Sequence, residues 1–380
     1  MHFYCIITII HIKKLYTNII YSFVLLGGNL MKNRIDPNSF NIPVEEIKNG
    51  FYSDIYFLRT QEILNKENYH PRVTMQIFQR DYATLCGIDE AIAIIKRCSY
   101  HPENIKIHAL HDGDKIAPWE TIMTIEGDLA DFSHLETVYL GVIARQTKIA
   151  TNTSKAVAAA NGKPVLFFPS RFDHYSVQQS DGYAAKIGGM SGISTPANAV
   201  AWNVEAAGTI PHALIATFLG DTLKATQAFD KHIDPKVSRV ALVDFNNDCV
   251  ETSLQVARAL GDKLYGVRLD TSDKMVDASL IDQLGNFVPT GVNEQLVKNV
   301  RQALDNEGFN KVKIMVSGGF TPEKIAKFEA NKVPVDVYAV GSSIFATNFD
   351  FTADIVLVDG KPSSKKGRHF NPNPRLELIK

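Results

Sequence analysis

The chain has 380 residues, with 40 basic and 41 acidic side chains, a formal charge of −1 and 45% apolar residues. That length exceeds the usual size of a single core and predicts one large α/β domain beside a smaller one. The balanced charge excludes the broad cationic footprint of a nucleic-acid binder but leaves room for a local cationic pocket.

Residues 1–30 stand apart from the rest. Lys13 and Lys14 followed by the apolar run Ile19 to Leu26 imitate a secretory signal, but the run is too short to span a bilayer. Met31 and the polar segment after it resemble a second start. The reading favoured over a signal is an upstream extension outside the fold, with no membrane attachment. Cys5, Cys86, Cys98 and Cys249 lie far apart, without metal or disulfide spacing. They predict reduced thiols and a cytoplasmic protein.

Residues 31–162 are expected to form the small α+β domain. Ile105 to Asp128 reads as short strands broken at His111-Asp112-Gly113-Asp114 and Ala117-Pro118, and Ser133 to Asn161 reads as one long linking helix. From 163 to 350, β-branched runs alternate with helical patterns, which predicts parallel strands joined by crossover helices. The strands are expected at Pro164 to Phe168, Val237 to Val243, Lys263 to Leu269, Val312 to Val316 and Val335 to Val340. Helices are expected at Ala197 to Ala207, Cys249 to Leu260, Asn293 to Asn306 and Pro322 to Ala330. Each strand ends in polar or glycine residues, as at the mouth of a parallel α/β barrel. The tail, 351–380, offers one strand at Ala353 to Val358 and is expected to return to the small domain.

Two of those strand ends are rich in glycine and serine: Ser317-Gly318-Gly319 and Gly341-Ser342-Ser343. Glycines after a strand let N–H groups close on a phosphate, and serine hydroxyls add donors. Tight strand-to-helix turns are the plainer explanation of either loop alone; the two together point to phosphate. Arg268 and Asp270 alternate with Leu269, so both can face the mouth and hold a ribose diol or a magnesium ion, unless they form a purely structural ion pair. Asp244 gives a second carboxylate on the same rim. Arg145, Lys155, Arg171 and Lys186 lie where cations would meet a pyrophosphate and a substrate carboxylate, although most surface cations do neither. His174 and His212 gain weight over ordinary structural histidines only by lying on loops of the same barrel face.

In this order, Gly208-Thr-Ile-Pro-His-Ala-Leu214, Val267-Arg-Leu-Asp-Thr-Ser-Asp273, Ser317-Gly-Gly-Phe320 and Gly341-Ser-Ser343 resemble the motifs of nicotinate phosphoribosyltransferases, over about Phe51 to Arg368. The resemblance implies an incomplete barrel packed on a small domain. It also implies a homodimer or higher oligomer whose active sites are shared, with nicotinate and phosphoribosyl pyrophosphate as substrates and Mg2+ bound with the pyrophosphate. By the same resemblance Tyr56, in Asp54-Ile-Tyr56, would stack on the pyridine of the neighbouring subunit, unless it is an ordinary core tyrosine. Ser317 to Gly319 and Gly341 to Ser343 would hold the 5′-phosphate, and Arg268 and Asp270 the ribose and its magnesium-bound pyrophosphate. Arg171 would read the carboxylate, with Thr209 and His212 matching the Gly-Thr-x-x-His segment. His174 is similar to a histidine that some members phosphorylate with ATP. Arg171-Phe-Asp-His-Tyr175 lacks the double arginine of longer members, and Lys155 stands where arginine is frequent, a departure that bears on ATP as co-substrate. The rivals are quinolinate or nicotinamide as substrate, a non-catalytic phosphate-binding barrel, and a phosphosugar isomerase or aldolase.

Overall fold

The computed structural model describes residues 33–202, 205–283, 285 and 287–380; the extension expected at 1–30 lies outside them. Two hydrophobic cores organise the chain. The first belongs to a six-stranded antiparallel sheet in the order Lys361–Pro362, Thr352–Val358, Arg72–Phe78, Met123–Asp128, Lys106–Ala109, Glu377–Leu378. Val73, Met75 and Ile77 alternate along its central strand and are buried against the helix Ile88–Cys98 and the start of the linking helix. The tail supplies three of the six strands, so the chain closes on the domain where it began.

The linking helix, Glu136–Ala159, spans about 36 Å at 1.5 Å per residue. Tyr139 and Ile143 belong to the small-domain core, whereas Ile149, Ala150 and Ala156 belong to the barrel core. Its buried Asn152 donates to the Ile344 carbonyl (2.8 Å) and accepts from Thr347 Oγ1 (2.7 Å), tying the helix to the loop after the last barrel strand.

The second sheet is wholly parallel, in the order Gly192–Ile193, Val165–Phe167, Val337–Val340, Lys313–Val316, Leu264–Leu269, Arg239–Leu242. Among the described residues no ladder joins its two end strands, so the barrel is incomplete, as expected. Helices Cys249–Leu260, Glu294–Asn306 and Pro322–Ala330 cover it, each begun by a side-chain cap from Asp248, Asn293 or Thr321 to a backbone N–H three residues on. The helix expected at 197–207 is a correction. Among the described residues of that stretch only Pro196–Ala199 is helical, and Ala207 N–H instead donates to the Ile193 carbonyl (2.7 Å), pairing the chain with an edge strand that needs a donor. Among the described residues, no helix is long and apolar enough to cross a membrane.

Candidate active site

The strand ends converge on a cavity of about 770 Å³, lined by Phe168, Arg171, Phe172, Gln178, Ser194, Thr195, Arg268, Asp270, Asp273, Ser317 to Phe320, Gly341 and Ser342 among others. Leu269 is fully buried while its neighbours Arg268 and Asp270 face this space, the outcome of two-residue strand periodicity at a barrel rim.

Arg268 joins three loops. Its Nε donates to Ser317 Oγ (2.9 Å), Nη1 to Thr209 Oγ1 (3.1 Å) and Nη2 to Asp270 Oδ2 (3.2 Å), and its guanidinium lies 5.6 Å from the Phe168 ring centre. Ser317 passes the chain of donors on, giving its hydroxyl proton to Asp270 Oδ1 (2.6 Å). The Ser317 hydroxyl, expected to serve a phosphate, is buried beside a charged donor and acceptor and hydrogen-bonded to both. The Ser343 hydroxyl donates to the Phe320 carbonyl (2.8 Å) and staples one glycine-serine loop to the other.

What remains for an anion is backbone and the Ser342 hydroxyl. Gly318 and Gly319 have φ of 80° and 70°, where a side chain is disfavoured, and among the described residues their N–H groups donate to no protein acceptor. Ser342 begins a 3₁₀ turn after Gly341 and is exposed to the same cavity. The helix beginning at Pro322 adds its N-terminal dipole.

The opposite wall is neutral. Buried Asn198 donates to the Gln178 carbonyl (2.6 Å), and its Oδ1 accepts from Ser170 Oγ (2.6 Å) and Thr195 Oγ1 (2.8 Å). Arg171 is the exception: it is exposed over the Phe172 ring at 5.5 Å and, among the described residues, has no ion-pair or hydrogen-bond partner. Sequence reasoning missed Phe172, Gln178 and Thr195. The signal for Thr195 was its place before Pro196, where its side chain caps the short helix.

Other expected residues lie around this centre. His212 Nε2 lies 3.0 Å from both oxygens of Asp244, whose carboxyl is 7% exposed. Burial raises the Asp244 pKa, with the histidine opposing and Asp270 adding to the rise. Arg145 forks onto Asp181 (3.0 and 2.8 Å) and reaches Asp173 (3.0 Å), so its guanidinium braces the loop that carries Arg171 instead of facing the cavity. His174 pairs its Nδ1 with Ser176 Oγ (2.7 Å) and does not line the cavity. Lys155 is exposed beside Glu323, outside the lining, and Lys186 donates to the Ala201 carbonyl (2.7 Å). Tyr56 is not a core residue: it is 56% exposed on the helix Ile55–Lys66, its hydroxyl donates to Asp54 (3.2 Å), and it borders a hollow with Phe57, Glu136 and Asp354 away from its own barrel mouth. Burial and the carboxylates of Asp354 and Asp54 raise Glu136 to about 7.

No group of three or more metal-type side chains occurs among the described residues. The oxygen donors of Asp270 and Asp273 suit Mg2+ that keeps most of its ligands from phosphate and water, not an all-protein cage.

Fold and cavity together define an incomplete parallel α/β barrel with a polar mouth, packed on a separate small domain. The chain belongs to the quinolinate phosphoribosyl transferase family: the N-terminal domain of that family matches residues 54–147 and the C-terminal domain residues 149–357. It is 27% identical over 278 residues to a nicotinate phosphoribosyltransferase, pncB1, of Mycobacterium tuberculosis, covering 71% of this chain and 57% of the relative. It is 23% identical over 332 residues to a nicotinate phosphoribosyltransferase of Bacillus subtilis, covering 78% of this chain and 63% of the relative. The chain therefore spans about three fifths of the length of these curated relatives. Among solved structures it is similar to a nicotinate-nucleotide pyrophosphorylase from Pyrococcus furiosus, with a TM-score of 0.76, 35% identity, and coverage of 90% of this chain and 86% of that one.

Proposed function

We propose that the chain is a nicotinate phosphoribosyltransferase, which joins nicotinate to the ribose of phosphoribosyl pyrophosphate, forming nicotinate mononucleotide and pyrophosphate in NAD biosynthesis. The observation that carries the choice of base is the neutral wall with one unpaired cation, Arg171, opposite the backbone phosphate cradle. One guanidinium matches one carboxylate; a dicarboxylate such as quinolinate would call for a second cation, and an amide for none.

In this reading the 5′-phosphate sits on the free amides of Gly318, Gly319 and the Gly341-Ser342 turn. Mg2+ arrives with the substrate, on pyrophosphate oxygens, and Asp270 and Asp273 are its candidate protein contacts. Arg268, fixed on three sides, holds Asp270 against the ribose. Pyrophosphate so complexed leaves readily, and positive character develops at the anomeric carbon as the bond stretches. The task of the protein is placement of the pyridine nitrogen against that carbon, with the remote phosphate grip supplying the orientation. Buried Asp244, with His212, adds a carboxylate on the same rim that can stabilise the developing positive charge.

Tyr56 completes the site from a second copy in a homodimer or higher oligomer, in keeping with its exposure on the small domain. ATP is a candidate co-substrate through His174, whose Nε2 has no protein partner among the described residues. A cytoplasmic location belongs to the same proposal and agrees with the buried free thiols of Cys86, Cys98 and Cys249.

The test is pyrophosphate release from phosphoribosyl pyrophosphate and Mg2+ with nicotinate, nicotinamide or quinolinate, each with and without ATP. Release with nicotinate alone is expected. Arg171→Met should raise KM for nicotinate by about 10- to 100-fold, the cost of one charge-assisted contact, and leave any nicotinamide reaction unchanged. Preferential use of quinolinate by the wild type would overturn the assignment of base. Any stimulation by ATP should vanish in His174→Ala.

A further inference from the structure

The phosphate cradle described above is made almost entirely of neutral donors, yet the group it would hold carries close to two negative charges at neutral pH. Of its three serine hydroxyls, those of Ser317 and Ser343 are occupied by protein acceptors, and that of Ser342 is neutral. Of the two arginines lining the cavity, Arg268 is engaged by Ser317, Thr209 and Asp270, and Arg171 lies on the loop after the first barrel strand, beside Phe172. A counter-charge at the cradle has to come from elsewhere.

Lys324 is placed to supply it. It stands in the first turn of helix Pro322–Ala330, directly after the Ser317-Gly-Gly loop, and its ammonium lies 4.3 Å from the ring centre of Phe320, a residue of the cavity wall. A helical side chain leans toward the N-terminus of its helix, here toward the cradle. The ammonium is half-buried and, among the described residues, has no hydrogen-bond or ion-pair partner. That placement is unfavourable in the empty protein, because a cation sits at the positive end of a helix and loses water in exchange for only an aromatic face. Burial lowers its pKa, with the charge of Asp273 opposing. A bound anion would reverse both penalties.

We propose that Lys324 is a substrate-binding residue that carries the positive charge for the sugar 5′-phosphate, moving from the face of Phe320 onto the phosphate oxygens when the cradle fills. The proposal rests on the phosphoribosyltransferase reading. The neighbouring Lys327 provides a control, since it lies on the same helix but is exposed and directed to Glu294 at 3.4 Å.

The experiment is calorimetric titration of the full chain with ribose 5-phosphate and with ribose, on wild type, Lys324→Gln, Lys324→Arg and Lys327→Gln. Lys324→Gln is expected to weaken ribose 5-phosphate binding by about tenfold or more, as for loss of one charge-assisted contact, with Lys324→Arg and Lys327→Gln near wild type. In turnover, kcat/KM for phosphoribosyl pyrophosphate should fall in Lys324→Gln and hold in Lys327→Gln. Ribose 5-phosphate binding by Lys324→Gln equal to that of wild type overturns the assignment to Lys324 alone. Wild-type protein that does not distinguish ribose 5-phosphate from ribose overturns the cradle and the proposal with it.

Discussion

Replacing Arg268 by lysine keeps the charge and removes the fork, which makes it a direct test of whether geometry or charge organises the mouth. The guanidinium reaches Ser317, Thr209 and Asp270 at 2.9, 3.1 and 3.2 Å, each on a different loop. A lysine ammonium on a shorter reach can keep Asp270 and lose the other two. Two lost hydrogen bonds from a charged donor at about 1–1.5 kcal/mol each give roughly 2–3 kcal/mol, or about 30- to 150-fold in kcat/KM. Ser317 would keep Asp270 and the Leu269 carbonyl but lose the guanidinium, and Gly318 and Gly319 would lose that brace on their preceding residue, so KM for phosphoribosyl pyrophosphate and kcat should both suffer. The assay is steady-state pyrophosphate release, accompanied by a urea melt. An Arg268→Lys enzyme with wild-type kcat/KM and an unchanged melt would refute the view that Arg268 works by joining loops.

Gly318→Ala places a methyl group at a φ of 80° with carbonyl oxygens of Thr271 and Asp270 at 3.4 and 3.5 Å; it should cost about 1–2 kcal/mol of local strain and weaken ribose 5-phosphate binding in calorimetry. Tyr56→Ala, an exposed change, should abolish most turnover without lowering the melting temperature. Mixing it after subunit exchange with an inactive Arg268→Met protein should restore about a quarter of wild-type activity, if two chains share each site; no recovery from demonstrably mixed dimers would count against sharing. Asp112, buried where the small domain meets helix Gln178–Ile187 and hydrogen-bonded to Tyr183 (2.8 Å), has its pKa raised by burial from 3.8 to about 7. The folded chain therefore keeps a proton that the unfolded chain releases, so this contribution to stability is present below the unfolded value and lost as pH rises toward 7. Relative to wild type, Asp112→Asn should gain up to roughly 4 kcal/mol between pH 4 and 7 in urea melts, and a flat difference would contradict the shift.

The barrel half was largely legible because its strands are short β-branched runs ending in glycine, serine or aspartate, and because Asp248, Asn293 and Thr321 announce the helices that follow. Helices Cys249–Leu260 and Pro322–Ala330 begin and end at the expected residues. The small domain was less legible. Helix Ile88–Cys98 was not anticipated, although Asp89, Glu90, Lys96 and Arg97 fall on one face and Ile88, Ile92 and Ile95 on the other; it is only three turns long, and Asp89 on its polar face is itself buried. In the site, sequence spacing brought Arg268 and Asp270 to one face, but it could not show that the Ser317 hydroxyl lies between them. Which donors are already occupied depends on contacts across 47 to 49 residues of chain. The helix expected at 197–207 failed for a related reason, since local propensity cannot register an unpaired strand edge at Ile193.

Charge links the composition to the mechanism. The whole chain is nearly neutral, and its cavity is too, lined by the two arginines Arg171 and Arg268 against the two aspartates Asp270 and Asp273. Phosphoribosyl pyrophosphate is strongly anionic, so simple attraction to a cationic pocket does not explain how such a site would hold it. On the proposed function, magnesium on the pyrophosphate would supply part of the compensation, and the protein would meet the rest with oriented amides, a helix terminus and a few cations held close. On the proposed function such a site would discriminate by count: a base with one carboxylate would find one free guanidinium, and a second carboxylate would face Ser170, Thr195, Gln178 and the buried Asn198 with no cation among them. Selectivity against a dicarboxylate then follows from an uncompensated charge instead of a steric block, and it should weaken when a cation is introduced on that wall.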